Sequence, residues 1–111
     1  MKFLLMIHGD ESGWDELPAA EQQARRERYG AVAAREEVLR ASELGPTSTA
    51  TTVRVKDGNT LVTDGPYAET REALGGIFLV EADSIDDAVE LAKQLPPSGG
   101  IEIRPVYGSE S

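Results

Sequence analysis

His8 is the single histidine of the chain, and histidine is the side chain whose ordinary pKa allows proton exchange near neutrality. Asp10 and Glu11 follow it closely enough to orient its ring, and Asp64 can approach it from the end of another strand. A His–carboxylate pair at strand ends suffices to abstract a proton next to a carbonyl. His8 and Asp64 are therefore the candidate catalytic pair, for a cofactor-free lyase or isomerase. The plainer alternative is a half-exposed His that opens a loop and bonds to backbone, and no nucleophile accompanies His8 to argue against it.

A second group of polar residues runs from Asp64 to Glu72. Asp64-Gly65-Pro66 is sufficiently explained as a turn: Asp bonds backbone N–H groups, Gly accepts an unusual φ and Pro fixes the exit. Beyond the turn, Tyr67 can stack on a planar ligand and Arg71 can clamp a carboxylate with two parallel bonds. Asp64, Gly65, Pro66, Tyr67, Glu69 and Arg71 are the candidate ligand-binding set. The competing reading pairs Glu69, Arg71 and Glu72 among themselves on the surface, each pair contributing less than about 1 kcal/mol. His8, Asp10, Glu11, Asp64 and Glu69 could surround a hard cation, but their spacing fits no recognised metal loop, so neither metal nor cofactor is expected.

Composition narrows the partners. Eleven basic against twenty acidic side chains give a net charge of −9 in 111 residues, with an isoelectric point near 4.5. Such a surface repels a phosphate backbone and an anionic membrane alike. Cys is absent, which excludes disulfides and thiolate chemistry and fits a reducing compartment. The longest apolar run, Phe3 to Ile7, is too short to cross a bilayer or to act as a signal segment. A cytoplasmic protein with one domain over residues 1–107 and a frayed tail at 108–111 is expected.

The elements that must position these residues read as five strands and two helices. Lys2–Ile7 suits a strand buried on both faces, followed by a polar loop from His8 to Gly13. Ala, Glu, Gln and Arg predict a helix opening at Leu17-Pro18 and running to about Ser42, ended by Gly45-Pro46. Thr51–Lys56 and Thr60–Thr63 form a hairpin around Asp57-Gly58-Asn59. Ile77–Val80 is a second strand apolar on both sides. Ser84 caps a second helix with Ile85, Ala88, Val89, Ala92 and Leu95 along its apolar face, and Ile101–Val106 closes the chain as a strand in which Pro105 marks an edge position or a strand end.

The order β-α-β-β-β-α-β is that of an α+β, ferredoxin-like two-layer sandwich: an antiparallel sheet with two helices on one face. Two helices cover one face only, while Phe3–Ile7 and Ile77–Val80 offer large apolar side chains to both. A second copy packed sheet against sheet is the simplest cover, so a homodimer is expected.

Leu61-Val62-Thr63-Asp64-Gly65-Pro66-Tyr67-Ala68-Glu69-Thr70-Arg71-Glu72, continued by Leu74-Gly75-Gly76, resembles the signature of the DGPF group of YCII-related (YciI-like) proteins. Tyr67 stands where that signature has Phe and Arg71 where it has Lys; both keep the side-chain character. The likeness extends to Ser48–Arg54, to the acidic start of the second helix and to Ile103–Val106. It implies a dimeric α+β barrel and little about activity. The wider group is similar to small enzymes with a proposed His–Asp pair, one branch being a dehydrochlorinase of a chlorinated aromatic diol. DGPF genes also tend to lie beside genes for extracytoplasmic-function sigma factors.

Three functions follow as expectations. The first is a module that binds a small molecule in a cleft near His8 and the Asp64-Gly65-Pro66-Tyr67 segment. The second is a lyase or isomerase working through His8 and Asp64. The third is an accessory protein in sigma-factor regulation, linked indirectly.

Overall fold

Phe3, Leu5 and Ile7 alternate with Leu4, Met6 and His8 along the first strand, β1 (Lys2–Gly9), so the run has two different faces rather than one uniform apolar surface. The computed structural model of the protein describes residues 1–108. Phe3, Leu5 and Ile7 enter a core with Val32, Phe78, Val80, Ala88, Leu91 and Leu95. Leu4 and Met6 lie on the opposite face and are half-buried.

Gly9 ends β1, and the polar stretch after it is a helix, not the loop expected from its composition. Asp10 caps α1 (Glu11–Glu16), its carboxylate accepting from the Ser12 N–H at 3.0 Å and from the Ser12 hydroxyl at 2.7 Å. Polarity and Gly13 mask what is an N-cap signature. Pro18 precedes α2 (Ala19–Ala33) as its N-cap.

The first helix was expected to reach about Ser42, and here the structure corrects the sequence reading. α2 stops at Ala33, and Val38–Glu43 is an edge strand, β2, paired antiparallel with β5 (Ala73–Glu81). Ala34 to Glu37 carry no Gly or Pro, so local propensity runs on where the chain turns. The turn is held instead by tertiary bonds. Arg35 donates to Glu37 at 2.8 Å and to Gln94 at 2.7 Å, and the Glu81 N–H donates to the Glu37 carbonyl at 2.8 Å.

After a 3-10 turn at Thr47–Thr49, strands β3 (Thr51–Lys56) and β4 (Asn59–Asp64) make a ribbon of their own. Asp57 and Gly58 turn it with φ of 53° and 80°, as the Asp-Gly pair predicts. α3 (Ile85–Ala92) carries the expected Ser84 cap, with the Asp87 N–H donating to the Ser84 hydroxyl. Its buried residues are Ala88 and Leu91, whereas Ile85, expected on that face, is 45% exposed. β6 (Gly100–Val106) pairs with β1 alone, an edge that tolerates Pro105.

The main sheet runs β2-β5-β1-β6, antiparallel throughout, with α2 and α3 both burying side chains in the core on one side. This α+β arrangement is compatible with a ferredoxin-like sandwich into which the β3–β4 ribbon is inserted. The element order is thus β-α-α-β-β-β-β-α-β, with one more strand and one more α-helix among the described residues than the sequence reading allowed. Residues in register share a face, which puts Leu79 beside Leu4, Ile77 and Glu102 beside Met6, and Arg104 beside Leu4 on the side away from the helices. Of the tail expected to fray, Gly108 is described, at φ 125°; residues 109–111 lie outside the described residues.

Candidate functional site

His8 stands at the end of β1 on the face without helices. Its side chain is 32% exposed, while the Nε2 atom itself lies beneath the surface and has no hydrogen-bond partner among the described residues. The carboxylate that comes to it is that of Glu102, with Oε1 3.6 Å from Nε2, outside hydrogen-bond reach but close enough to attract the ring whenever it carries a second proton. Glu102 is itself anchored, because Arg104 Nε donates to its other oxygen at 2.6 Å. Glu102 went unnoticed in the sequence; the signal was the alternation Ile101-Glu102-Ile103, which puts its side chain on the same face as Met6 and His8.

Around the same strand end the chain gathers charge. Two bonds from Ser12 hold the Asp10 carboxyl below its ordinary range, with Arg71 adding a smaller attraction, and Arg71 Nε lies 3.8 Å from Asp10 Oδ2. Arg71 is otherwise 91% exposed. Glu11 accepts from the Thr47 hydroxyl at 2.6 Å and from the Thr47 N–H at 2.8 Å, and these bonds lower its carboxyl as well. Gly99 donates its N–H to the His8 carbonyl at 2.8 Å, and Glu72 packs so close to Gly99 that a side chain there would overlap its carboxylate.

Asp64 ends β4, in register with Thr51, and among the described residues no hydrogen bond or ion pair joins it to His8. Gly65, at φ 116°, closes the base of the ribbon: its N–H donates to the Ala50 carbonyl, and its carbonyl accepts from the Thr52 hydroxyl, both at 2.8 Å. Pro66 follows, half-buried. Tyr67 is 77% exposed and is held by Arg54, whose guanidinium lies 5.1 Å from the ring centroid and donates to the Tyr67 carbonyl at 2.9 Å. Glu69 is exposed. Arg71 pairs with Asp10 rather than with Glu69 or Glu72, the partners weighed for it from the sequence.

Two open depressions of about 370 Å³ and 470 Å³ lie elsewhere, on the helix side. The first is lined by Arg35, Glu37, Asp83, Asp87, Glu90 and Gln94 among others, and the second by Arg28, Arg35, Lys93 and Gln94 among others. Neither involves His8 or the residues from Asp64 to Arg71. Among the described residues no three His, Asp or Glu side chains gather as metal ligands, and no helix is long and apolar enough to cross a membrane.

What the strand end can do chemically is limited and specific. It offers one imidazole nitrogen in need of a partner, a carboxylate beside it and an exposed guanidinium nearby. Comparison with known proteins gives the setting. The chain is 33% identical over 116 aligned positions to uncharacterized protein R00369 of Rhizobium meliloti (strain 1021), covering 96% of this chain and 92% of that protein. The family model described as the YCII-related domain matches residues 1–109. On that match the chain belongs to the YCII-related domain family.

Proposed function

We propose that the chain binds a small organic molecule at the β1 end of the sheet, next to the Asp64–Arg71 segment, and does so as a homodimer. The observation that carries this reading is the buried, unpartnered Nε2 of His8. A buried polar atom without a partner is costly, by roughly 1–3 kcal/mol, and a ligand that supplies the missing bond recovers that free energy. Arg71 stands exposed at the same end, suited to a carboxylate, and the Tyr67 ring offers a face for a planar group. The acidity of the rest of the chain favours a small ligand with one local negative charge over a polyanion.

The homodimer supplies walls for such a site. Leu4, Met6, Ile77 and Leu79 form an apolar stripe on the sheet face without helices, and a second copy placed sheet to sheet covers it. Thermal-shift measurements with benzoate, salicylate and catechol test the binding reading. Stabilisation of the wild-type protein by a carboxylate probe, lost in both His8→Gln and Arg71→Ala, supports it. An equal response in wild type and both variants removes these residues as the anchor.

The separation of 3.6 Å between His8 and Glu102 favours a second reading, proton transfer of the lyase or isomerase type, with Glu102 as the carboxylate partner of His8 in the place expected for Asp64. Solvent deuterium incorporated next to the carbonyl of a bound keto acid, and abolished in His8→Gln, distinguishes this from binding alone.

A further inference from the structure

The β3–β4 ribbon stands apart from the rest of the molecule. Among the described residues its substantial packing is between its own two strands, and its base is tied down at Ala50, Gly65 and Tyr67. The chain accordingly has a radius of gyration of 15.9 Å and extents of 44 × 41 × 18 Å. A globular chain of this length has a radius of gyration of about 13 Å. The molecule is extended in two dimensions, 44 and 41 Å, and thin in the third, 18 Å.

The two faces of the ribbon differ. Register places Val53 opposite Val62 and Val55 opposite Thr60 on one face, with Arg54, Leu61, Lys56 and Asn59 on the other. Val53, Val55 and Val62 are 58%, 69% and 60% exposed. A two-stranded ribbon is marginal in water by itself, and an uncovered valine face adds an aggregation hazard.

We propose that the ribbon is an arm whose Val53–Val55–Val62 face lies on a second copy of this chain. The proposal rests on the homodimer reading above and extends it beyond the sheet face. Two arguments select a second copy as the occupant. The first is charge. Arg54 and Lys56 balance Asp57 and Asp64, so the ribbon is formally neutral in a chain of net charge −9. It is the part of the molecule that approaches another such chain without repulsion.

The second argument is area. At the usual strand spacing and rise, the four-stranded face projects roughly 450 Å² and the ribbon face roughly 200 Å². A stable interface buries about 800 Å² on each partner. Neither face alone approaches that value, whereas the two together come near it before side-chain relief is counted. One partner covering both faces therefore satisfies two otherwise unexplained apolar surfaces.

The test combines light scattering over a dilution series with a site-specific cross-link. Wild type is expected at twice 11.9 kDa. Val53→Thr/Val55→Thr/Val62→Thr keeps β-branched residues, and hence the ribbon, and is expected to weaken the dimer at least tenfold. Leu79→Lys on the sheet face is expected to give monomer. Because the chain has no Cys, Val55→Cys carries a benzophenone maleimide at one position only. Irradiation should give a covalent species of twice the monomer mass. A wild-type dimer with an unchanged dissociation constant in the triple variant and no cross-linked dimer overturns the arm and leaves the sheet-face dimer standing. A wild-type monomer at every concentration overturns both.

Discussion

Glu11, the first residue of α1, closes on Thr47 with both carboxylate oxygens, one on the hydroxyl and one on the backbone N–H. The contact spans 36 residues of sequence and ties the end of β1, where His8 stands, to the 3-10 turn from which the ribbon departs. The sheet and the ribbon share little other packing, so this clasp is one of the few bonds that sets their relative position.

The clasp makes stability depend on pH in a defined direction. The Thr47 bonds lower the Glu11 carboxyl below its ordinary 4.5. A depressed carboxyl contributes stability above its unfolded-state value and loses it as pH falls through the folded value. Glu11→Gln is therefore expected to melt below wild type at neutral pH and to converge with it in the acid range, as pH falls below 4.5 and through the lowered carboxyl. Melting temperatures of the two proteins across that range check the sign; a difference that persists unchanged in acid refutes it.

Gly99 supports the other side of the same strand end. An added methyl group would overlap the Glu72 carboxylate and sit 3.1 Å from the His8 carbonyl oxygen. The Glu72 side chain is exposed and its end can swing aside, so the fixed His8 carbonyl oxygen sets the cost of Gly99→Ala, expected at up to about 1 kcal/mol. Glu72→Ala in the same chain should then recover little of the loss. Urea unfolding of the two single variants and the double variant measures that coupling.

The core makes a larger prediction. Leu5 is fully buried in the middle of β1, beneath both helices and between β5 and β6. Leu5→Ala should cost roughly 2–5 kcal/mol, the range for a buried leucine whose cavity closes incompletely. Domains of this kind have about 5–15 kcal/mol in all, so the midpoint in urea should fall sharply without loss of cooperativity.

The two central strands and the hairpin were legible because their signals are local: an apolar run at Phe3–Ile7, another at Ile77–Val80, and Asp57-Gly58 with the positive φ that a tight turn needs. The end of α2 was not legible. Arg35, Glu36 and Glu37 are good helix formers, and what bends the chain there is bonding to Gln94 and Glu81, residues more than forty positions away. Val38–Glu43 becomes a strand because β5 offers it an edge, a preference no window of local sequence contains. The site divides in the same way. His8 and Arg71 were identifiable by residue type, but Glu102 comes to His8, and Asp10 to Arg71, through strand order and a helix cap.

Gly65 tests whether the ribbon is a separate folding unit. Its φ of 116° lies where an L side chain is strained, and its two backbone bonds, to Ala50 and from Thr52, close the ribbon's base. A residue forced into such a region costs on the order of 1–3 kcal/mol. If that strain fell on a ribbon packed into the core, Gly65→Ala would lower the stability of the whole domain, as Leu5→Ala does. The ribbon packs mainly on itself, so the strain is expected to be released by opening the ribbon alone. Hydrogen exchange should then quicken at the amides of Thr52–Lys56 and Asn59–Thr63 while the amides of Leu4–Ile7 keep wild-type protection. Equal acceleration in both sets would mean that ribbon and sheet open as one.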